Sequence, residues 1–128
     1  MKENVLIDSY GWIEYFSEGP KANKYAKYVD VANTSQYITP SIILYEVYKK
    51  IKATKGEDMA LKAISYIIHY TTIIAIDKKI SLNAAEISLK TRLSMADAII
   101  KAVAEERNAK IITSDEHLKN FSDVIFIA

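Results

Sequence analysis

The sequence contains no cysteine, which excludes a disulfide scaffold, a thiolate zinc site and a cysteine nucleophile. It has only 3 glycines and 2 prolines among 128 residues, with 50% hydrophobic and 26% charged residues. This balance is typical of a compact globular chain and excludes collagen-like and disordered chains. Because a chain of this length buries one core, we predict a single domain over residues 1–128.

No charge of one sign dominates, since 17 basic and 16 acidic residues leave a formal net charge of +1. The chain therefore has no overall positive field that would draw it onto nucleic acid or anionic lipid, and contact with a nucleic acid must depend on local basic groups. No apolar run reaches the ~18 residues of a membrane span, and the start MKENVLID lacks the order of a signal peptide. We expect a cytoplasmic protein with no membrane partner.

Short aliphatic or β-branched runs alternate with segments of helical periodicity along the chain. The runs predict five strands, over residues 4–7, 36–39, 71–76, 110–113 and 124–127. The segments between them predict six helices, near 10–16, 22–29, 41–54, 60–68, 80–89 and 94–107. In the fifth helix, the apolar spacing places Leu82, Ala85 and Leu89 on neighbouring turns. Since such alternation requires crossover connections, we predict an α/β fold, a three-layer α/β/α sandwich around a mostly parallel sheet of about five strands.

Two aspartates follow predicted strands, at the edge of a parallel sheet where ligands bind. Asp8 comes directly after NVLI, and Asp115 lies two residues after KIIT. Each is also a suitable helix N-cap, because an aspartate side chain accepts hydrogen bonds from the free N–H groups of a first turn. The pattern alone leaves both roles open.

Glu46 lies on the apolar side of the third predicted helix, within the same arc as Ile43 and Val47. An unpaired buried carboxylate is unfavourable by several kcal/mol, so this one must be neutralised, paired or metal-bound. Lys49 and Lys50 are the nearest candidates for a salt bridge along the helix.

Asp97 follows Ser94 by three residues, which is the spacing of a capping box at a helix start. It also lies beside Ile100 and Ala104 on a helix with few polar positions, as expected for one wall of a site. Both interpretations stay open.

The four acids together favour convergence, because two follow strands and two lie on helices that pack beside them. Two carboxylates about 4 Å apart repel by about 4 kcal/mol at an effective dielectric near ~20, which exceeds what one N-cap contributes. A cation must offset that repulsion. Oxygen ligands without cysteine or histidine suit Mg²⁺ or Mn²⁺ rather than zinc. The predicted catalytic and metal-binding residues are Asp8, Glu46, Asp97 and Asp115.

The sequence resembles the PIN-domain ribonucleases, and among them the small VapC toxins of VapBC toxin–antitoxin pairs. The resemblance covers nearly the whole chain, through VLIDSYGWIEYF, ITPSIILYEV and LSMADAIIKAVAEERNAKIITSDEHL. It implies an α/β/α fold in which acidic residues bind Mg²⁺ or Mn²⁺ and RNA is cut to leave a 5′-phosphate and a 3′-hydroxyl. It also implies a cognate antitoxin as a partner.

The resemblance extends to individual site residues. The family's four acidic positions are matched by Asp8, Glu46, Asp97 and Asp115. Thr113 matches a hydroxyl residue that supports the site, and Ser9 matches the small hydroxyl residue after the first aspartate. Some relatives carry a further acid where this chain has His117, which weakens the expectation of a second metal.

Candidate substrate contacts are fewer. Lys49 belongs to a local basic segment that also contains Lys50, Lys52 and Lys55 and that could hold phosphates, although such a segment is more often a solvated helix face. Arg92, before the Asp97 helix, is a second candidate because its planar group binds two phosphate oxygens.

The remaining histidines and aromatic residues have weaker signals. His69 and His117 belong to different segments and form no convincing zinc pair, so we interpret both as ordinary histidines. Base stacking is open to Tyr10, Trp12 and Tyr15, but core or interface packing is the stronger expectation. We predict a homodimer because aromatic residues of the early helices exceed what one small core requires: Trp12, Tyr15, Phe16, Tyr25, Tyr28, Tyr45 and Tyr48.

Two other classes of protein share parts of this pattern. A phosphoacceptor receiver domain needs paired acids after its first strand and a lysine after its last, and VLIDSY and VIFIA supply neither. A catalytically weak PIN-like binding or assembly module is the second alternative. Against it, a pure scaffold has no physical need for a group of mutually repelling acids.

Overall fold

The computed structural model describes residues 3–128 and alternates strands with helices throughout. The elements are β1 (Asn4–Ile7), α1 (Ser9–Phe16), α2 (Ala22–Val29), β2 (Ile38–Pro40), α3 (Ser41–Lys55), α4 (Glu57–Tyr70), β3 (Thr72–Ile74), α5 (Lys78–Thr91), α6 (Met95–Arg107), β4 (Ala109–Thr113) and β5 (Val124–Phe126). None of the helices in this described range is long and apolar enough to cross a membrane.

Every strand pairing is parallel. β4 pairs with both β1 and β5, while β2 pairs with β3. A single bridge between Val5 and Tyr37 joins the two groups, next to a 2.9 Å hydrogen bond from the Val5 N–H to the Gln36 carbonyl. The spatial order is therefore β3-β2-β1-β4-β5. This confirms the predicted α/β fold, with the difference that the five strands form a three-stranded and a two-stranded sheet.

Helix α6 lies at the centre of the fold. Seven successive residues, from Ala98 to Ala104, are buried, as expected for a helix that is covered on all sides. Its one charged member in this stretch, Lys101, pairs with Glu105 at 2.8 Å and with Asp123 at 3.1 Å. The ion pair to Asp123 holds the β4–β5 connection against the helix.

Helix α5 buries a different face from the one that its apolar spacing indicated. Ile80 and Ala84 pack into the core, whereas Leu82 and Leu89 are 69% and 79% exposed. The predicted helix is confirmed, and the two leucines that its spacing placed on neighbouring turns lie in solvent. Both faces of α5 carry aliphatic residues, so periodicity alone did not separate them.

The aromatic residues of the early helices mostly serve the chain's own core. Trp12 and Tyr25 are fully buried and Phe16 is nearly so. Fewer aromatic side chains of the early helices are therefore available for a protein interface than the sequence indicated. Tyr45 alone among the seven aromatic side chains is prominently exposed.

Gly11 allows α1 to approach Tyr25 closely. A Cβ atom at this position would lie 2.5 Å from Tyr25 Cε1 and 2.8 Å from Ile7 Cγ2, which are distances that no unstrained packing permits. The Tyr25 hydroxyl is in turn 2.7 Å from Ser114 Oγ, just beyond β4. The α1–α2 packing therefore fixes the chain at the carboxyl end of β4.

The close approach of Gly11 to Tyr25 predicts the sign of the stability change when Gly11 is replaced. Gly11→Ala is expected to lower the free energy of unfolding by about 1–3 kcal/mol, because the added methyl overpacks the Tyr25 contact. Helix propensity alone would raise stability by about 0.5–1 kcal/mol. Urea denaturation measures the difference, with the exposed α5 variant Glu86→Ala as a control within about 0.5 kcal/mol of the parent. A stabilised Gly11→Ala would contradict the packing.

Candidate active site

Asp8 is both the N-cap of α1 and a buried carboxyl of the candidate site. Its Oδ1 accepts the Ser9 N–H at 2.7 Å, and its Oδ2 accepts the Thr113 hydroxyl at 2.8 Å. The residue is only 5% exposed. Burial raises the pKa of Asp8, and the hydrogen bonds from Thr113 and Ser9 oppose that shift. The capping and site roles coexist because each oxygen has its own partner.

Thr113 connects the two aspartates that follow strands. Its hydroxyl donates to Asp8 and accepts the Asp115 N–H at 3.0 Å. Asp115 Oδ1 then accepts the His117 N–H at 2.8 Å, which orders the turn after β4. The fully buried Thr113 thus positions Asp8 directly and Asp115 through its backbone.

Glu46 enters the site from α3. Neither Lys49 nor Lys50 pairs with it, so the salt bridge that the sequence left open as one alternative is not formed by these lysines. Within residues 3–128, its buried Oε1 has no hydrogen-bond partner. Burial raises the pKa of Glu46, the Ser9 hydroxyl lowers it, and the negative charges of Asp8 and Asp115 raise it further.

Asp97 completes the group of four acids from the first turn of α6. The Asp97 N–H donates to Ser94 Oγ at 3.4 Å, so Ser94 is the cap. The Asp97 carboxyl meets Asp115 instead of returning to the Ser94 backbone. Burial, followed by the contact with Asp115 and the charges of Asp8 and Glu46, raises the pKa of Asp97 to about 7.

His117 also lies at this cluster, although its sequence context indicated an ordinary histidine. One ligand atom from each of Asp97, Asp115 and His117 lies within 4.8 Å of the others. The exposed His117 ring places Nδ1 3.1 Å from Asp115 Oδ1. The D-x-H spacing after β4 is the signal that would have identified it.

The acids surround a cavity of about 220 Å³. Its lining residues are Asp8, Ser9, Tyr10, Glu46, Asp97, Ser114 and Asp115. In the part of the chain that the structure describes, no lysine or arginine forms an ion pair with any of the four acids. The oxygen-rich donor set, the unpaired Glu46 oxygen and the raised pKa values fit a divalent cation such as Mg²⁺ or Mn²⁺.

The two predicted phosphate contacts lie in different places. Lys49 lines a groove that adjoins the acid cavity. Arg92 is exposed in a left-handed conformation at the end of α5 (φ 65°), and it is not among the residues that line the acid cavity. Substrate binding by Arg92 stays a prediction from the sequence.

The raised pKa of Asp97 predicts a pH-dependent stability in metal-free protein. Between pH ~4 and ~7, folded protein retains the Asp97 proton while unfolded protein releases it, so the free energy of unfolding falls as pH rises. Asp97→Asn should reduce this slope, to which the raised pKa values of Asp8 and Glu46 also contribute. It should be more stable than the parent at pH ~8, by about 1 kcal/mol because the half-exposed site is screened.

Urea unfolding with EDTA between pH ~5 and ~8 measures this effect. Asp58→Asn is the matched control, since Asp58 lies exposed in the first turn of α4. Added Mn²⁺ should reverse the order by stabilising the parent more than Asp97→Asn. Equal pH slopes in the parent and in Asp97→Asn would contradict the repulsion among the acids.

The PIN domain family model matches residues 5–124 of the chain. No curated protein sequence matches it significantly. Among solved structures, the fold is similar to a toxin–antitoxin complex from Klebsiella pneumoniae, with 23% identity, a TM-score of 0.77, and coverage of 95% of this chain and 96% of that chain. VapC20 of Mycobacterium tuberculosis, a sarcin–ricin loop cleaving toxin, gives 14% identity, a TM-score of 0.77, and coverage of 94% and 98%.

A third similar structure is the DNA-bound VapBC from Salmonella typhimurium, with 14% identity, a TM-score of 0.74, and coverage of 98% of both chains. At these identities the solved structures establish the fold. The family model spans nearly the whole chain and agrees with the resemblance seen in the sequence. This chain therefore belongs to the PIN domain family.

Proposed function

We propose that this PIN domain is a metal-dependent endoribonuclease and the toxin of a toxin–antitoxin pair. The observation that carries the proposal is the cavity lined by Asp8, Glu46, Asp97 and Asp115, in which one buried Glu46 oxygen has no partner among the described residues. Such an arrangement stores repulsion that a divalent cation relieves. A scaffold that only binds partners gains nothing from it, which disfavours the assembly-module alternative.

The site chemistry follows from what phosphodiester hydrolysis requires. A bound Mg²⁺ or Mn²⁺ supplies charge relief, an activated water and stabilisation of the leaving oxygen. Asp8, Asp97 and Asp115 are the proposed ligands, directly or through water. Glu46 is placed to bind the metal or to orient the attacking water. Asp97 would hold such a cation in its deprotonated form, because carboxylate ligands bind metal deprotonated.

RNA is the proposed substrate. The similar structure of VapC20 is described as a sarcin–ricin loop cleaving toxin, and the family resemblance in the sequence implies the same class of chemistry. Products ending in 5′-phosphate and 3′-hydroxyl are expected on that basis. The predicted cytoplasmic location places the protein with RNA.

The proposed antitoxin partner is supported by the complexes among the similar structures. An antitoxin segment that carries a cation next to an apolar stretch would fit the acid cavity and block RNA. We also propose a homodimer that leaves both acid cavities accessible. The early aromatic residues support it less than Leu82 and Leu89 do, because these exposed leucines lie two turns apart on one face of α5.

Cleavage assays test the proposed activity. The purified chain is expected to cut members of a pool of structured RNAs in Mg²⁺ or Mn²⁺ and not in EDTA. Glu46→Gln and Asp97→Asn should each lower the rate by at least about 100-fold, since both keep their shape but lose charge. Glu86→Gln, on the exposed side of α5, is the control. Cutting that persists unchanged in EDTA would refute a metal-dependent mechanism.

Light scattering across a concentration series tests the dimer. The parent should show twice the chain mass, and Leu89→Glu should shift the equilibrium toward monomer by placing a charge in the contact. Leu61→Glu, a change at an exposed leucine of α4, is the matched control. A monomer mass for the parent at high micromolar concentration is incompatible with the proposed dimer.

A further inference from the structure

A groove of about 540 Å³ runs between α1 and α3 and adjoins the acid cavity. Ser9, Tyr10 and Glu46 line both spaces, so the two are neighbours. The groove is larger than the acid cavity, which holds about 220 Å³. We call it the α1–α3 groove, and its other lining residues are Ile13, Glu14, Tyr45, Lys49, Lys50 and Ala53.

Each side of the α1–α3 groove carries a tyrosine with a lysine over its ring. On the α1 side, Tyr10 is 43% exposed and Lys21 Nζ lies 5.6 Å from the ring centroid. On the α3 side, Tyr45 is 59% exposed and Lys49 Nζ lies 5.5 Å from its centroid. The groove thus presents two aromatic faces beside positive charge.

Core packing does not account for these two rings. The buried face of α3 consists of Ile43, Val47 and Ile51, and Tyr45 lies outside it. Tyr10 has one ring neighbour, Tyr25, at a centroid distance of 6.4 Å, which holds Tyr10 in place while leaving much of it in solvent. Exposed aromatic surface beside a candidate catalytic cavity is typical of a binding surface.

The charges in the groove favour an anionic ligand once the acids bind metal. Lys49 and Lys50 line the groove, and among residues 3–128 Lys49 forms no ion pair and contacts the Tyr45 hydroxyl at 3.3 Å. Glu14, the remaining acid, is largely buried and accepts the Lys21 N–H at 2.9 Å. Since the chain carries a net charge of only +1, such local lysines must provide most of the attraction for a phosphate.

We propose that the α1–α3 groove binds an unpaired RNA nucleotide next to the scissile phosphodiester, with its base stacked on Tyr45 and its phosphate at Lys49. This inference rests on the proposed ribonuclease function, for which the family resemblance already implies single-stranded or looped RNA, and it assigns two residues of this chain to substrate binding. Every base offers a π face to an aromatic side chain, whereas a base inside a duplex is already stacked. An apolar peptide would use the rings but would leave the lysines without a partner.

Binding of a labelled RNA tests the groove separately from cleavage. The probes are a fluorescein-labelled single-stranded 12-mer RNA of mixed sequence and a blunt duplex of the same length. The full-length protein carries Asp97→Asn to prevent cutting, and fluorescence anisotropy is measured in Mg²⁺ at several salt concentrations. The single strand is expected to bind more tightly than the duplex.

The variants separate stacking from charge. Tyr45→Ala should weaken single-strand binding by about 5- to 100-fold with an unchanged salt slope, because stacking involves no counterion release. Tyr45→Phe should retain affinity. Lys49→Ala should weaken binding and reduce the salt slope by about 1. The controls are Tyr70→Ala on α4 and Lys90→Ala on α5, both exposed and outside the groove.

The possible results separate a failure of the groove proposal from a failure of the proposed ribonuclease function. If the parent binds RNA and Tyr45→Ala binds it equally well, or if Tyr70→Ala loses as much affinity, the stacking role is refuted while the ribonuclease proposal stands. Equal affinity for duplex and single strand also refutes it, and leaves the groove to a protein segment. If the parent neither binds nor cuts any RNA, the proposed function itself fails. Thermal unfolding of each variant verifies that it is folded.

Discussion

The parallel register of β1 and β4 fixes where the acids meet. Ile7 lies opposite Ile112, and the Asp8 N–H donates to the Ile112 carbonyl at 3.0 Å. Asp8 and Thr113 therefore leave their strands at the same level, within reach of one another. Because side chains alternate along a strand, a slip of one residue would turn Thr113 to the other face and separate it from Asp8. The other site residues converge on this pair.

Capping and metal binding were alternatives in the sequence, yet the structure makes them compatible. A carboxyl group has two oxygens, and Asp8 uses one to cap α1 and the other to accept from Thr113. Asp115 likewise orders the turn after β4 with Oδ1. The stability of these local turns therefore sets the geometry of the site, so that folding and function depend on the same atoms.

The sequence predicted the strand and helix order because periodicity changed clearly between segments. It made Asp8 and Asp115 candidates because they follow strands, and Glu46 and Asp97 because they lie on apolar helices. Three features escaped it. The buried face of α5 depends on which of two aliphatic stripes meets α6. Whether Glu46 has a lysine partner depends on the orientation of the Lys49 side chain, whose Nζ contacts the Tyr45 hydroxyl. The approach of His117 to Asp115 depends on the turn after β4. The first is decided by tertiary packing, which no local pattern specifies, whereas the second and third are short-range contacts that residue spacing allows without fixing.

The complete burial of α6 from Ala98 to Ala104 has a consequence for regulation. Close-packed interiors resist small displacements, so Asp97 cannot shift unless the centre of the molecule repacks. The wall of the acid cavity that α6 supplies is consequently held in place by the core. A molecule that filled this cavity would meet that wall in the geometry it already has, and its dissociation would leave the wall unchanged.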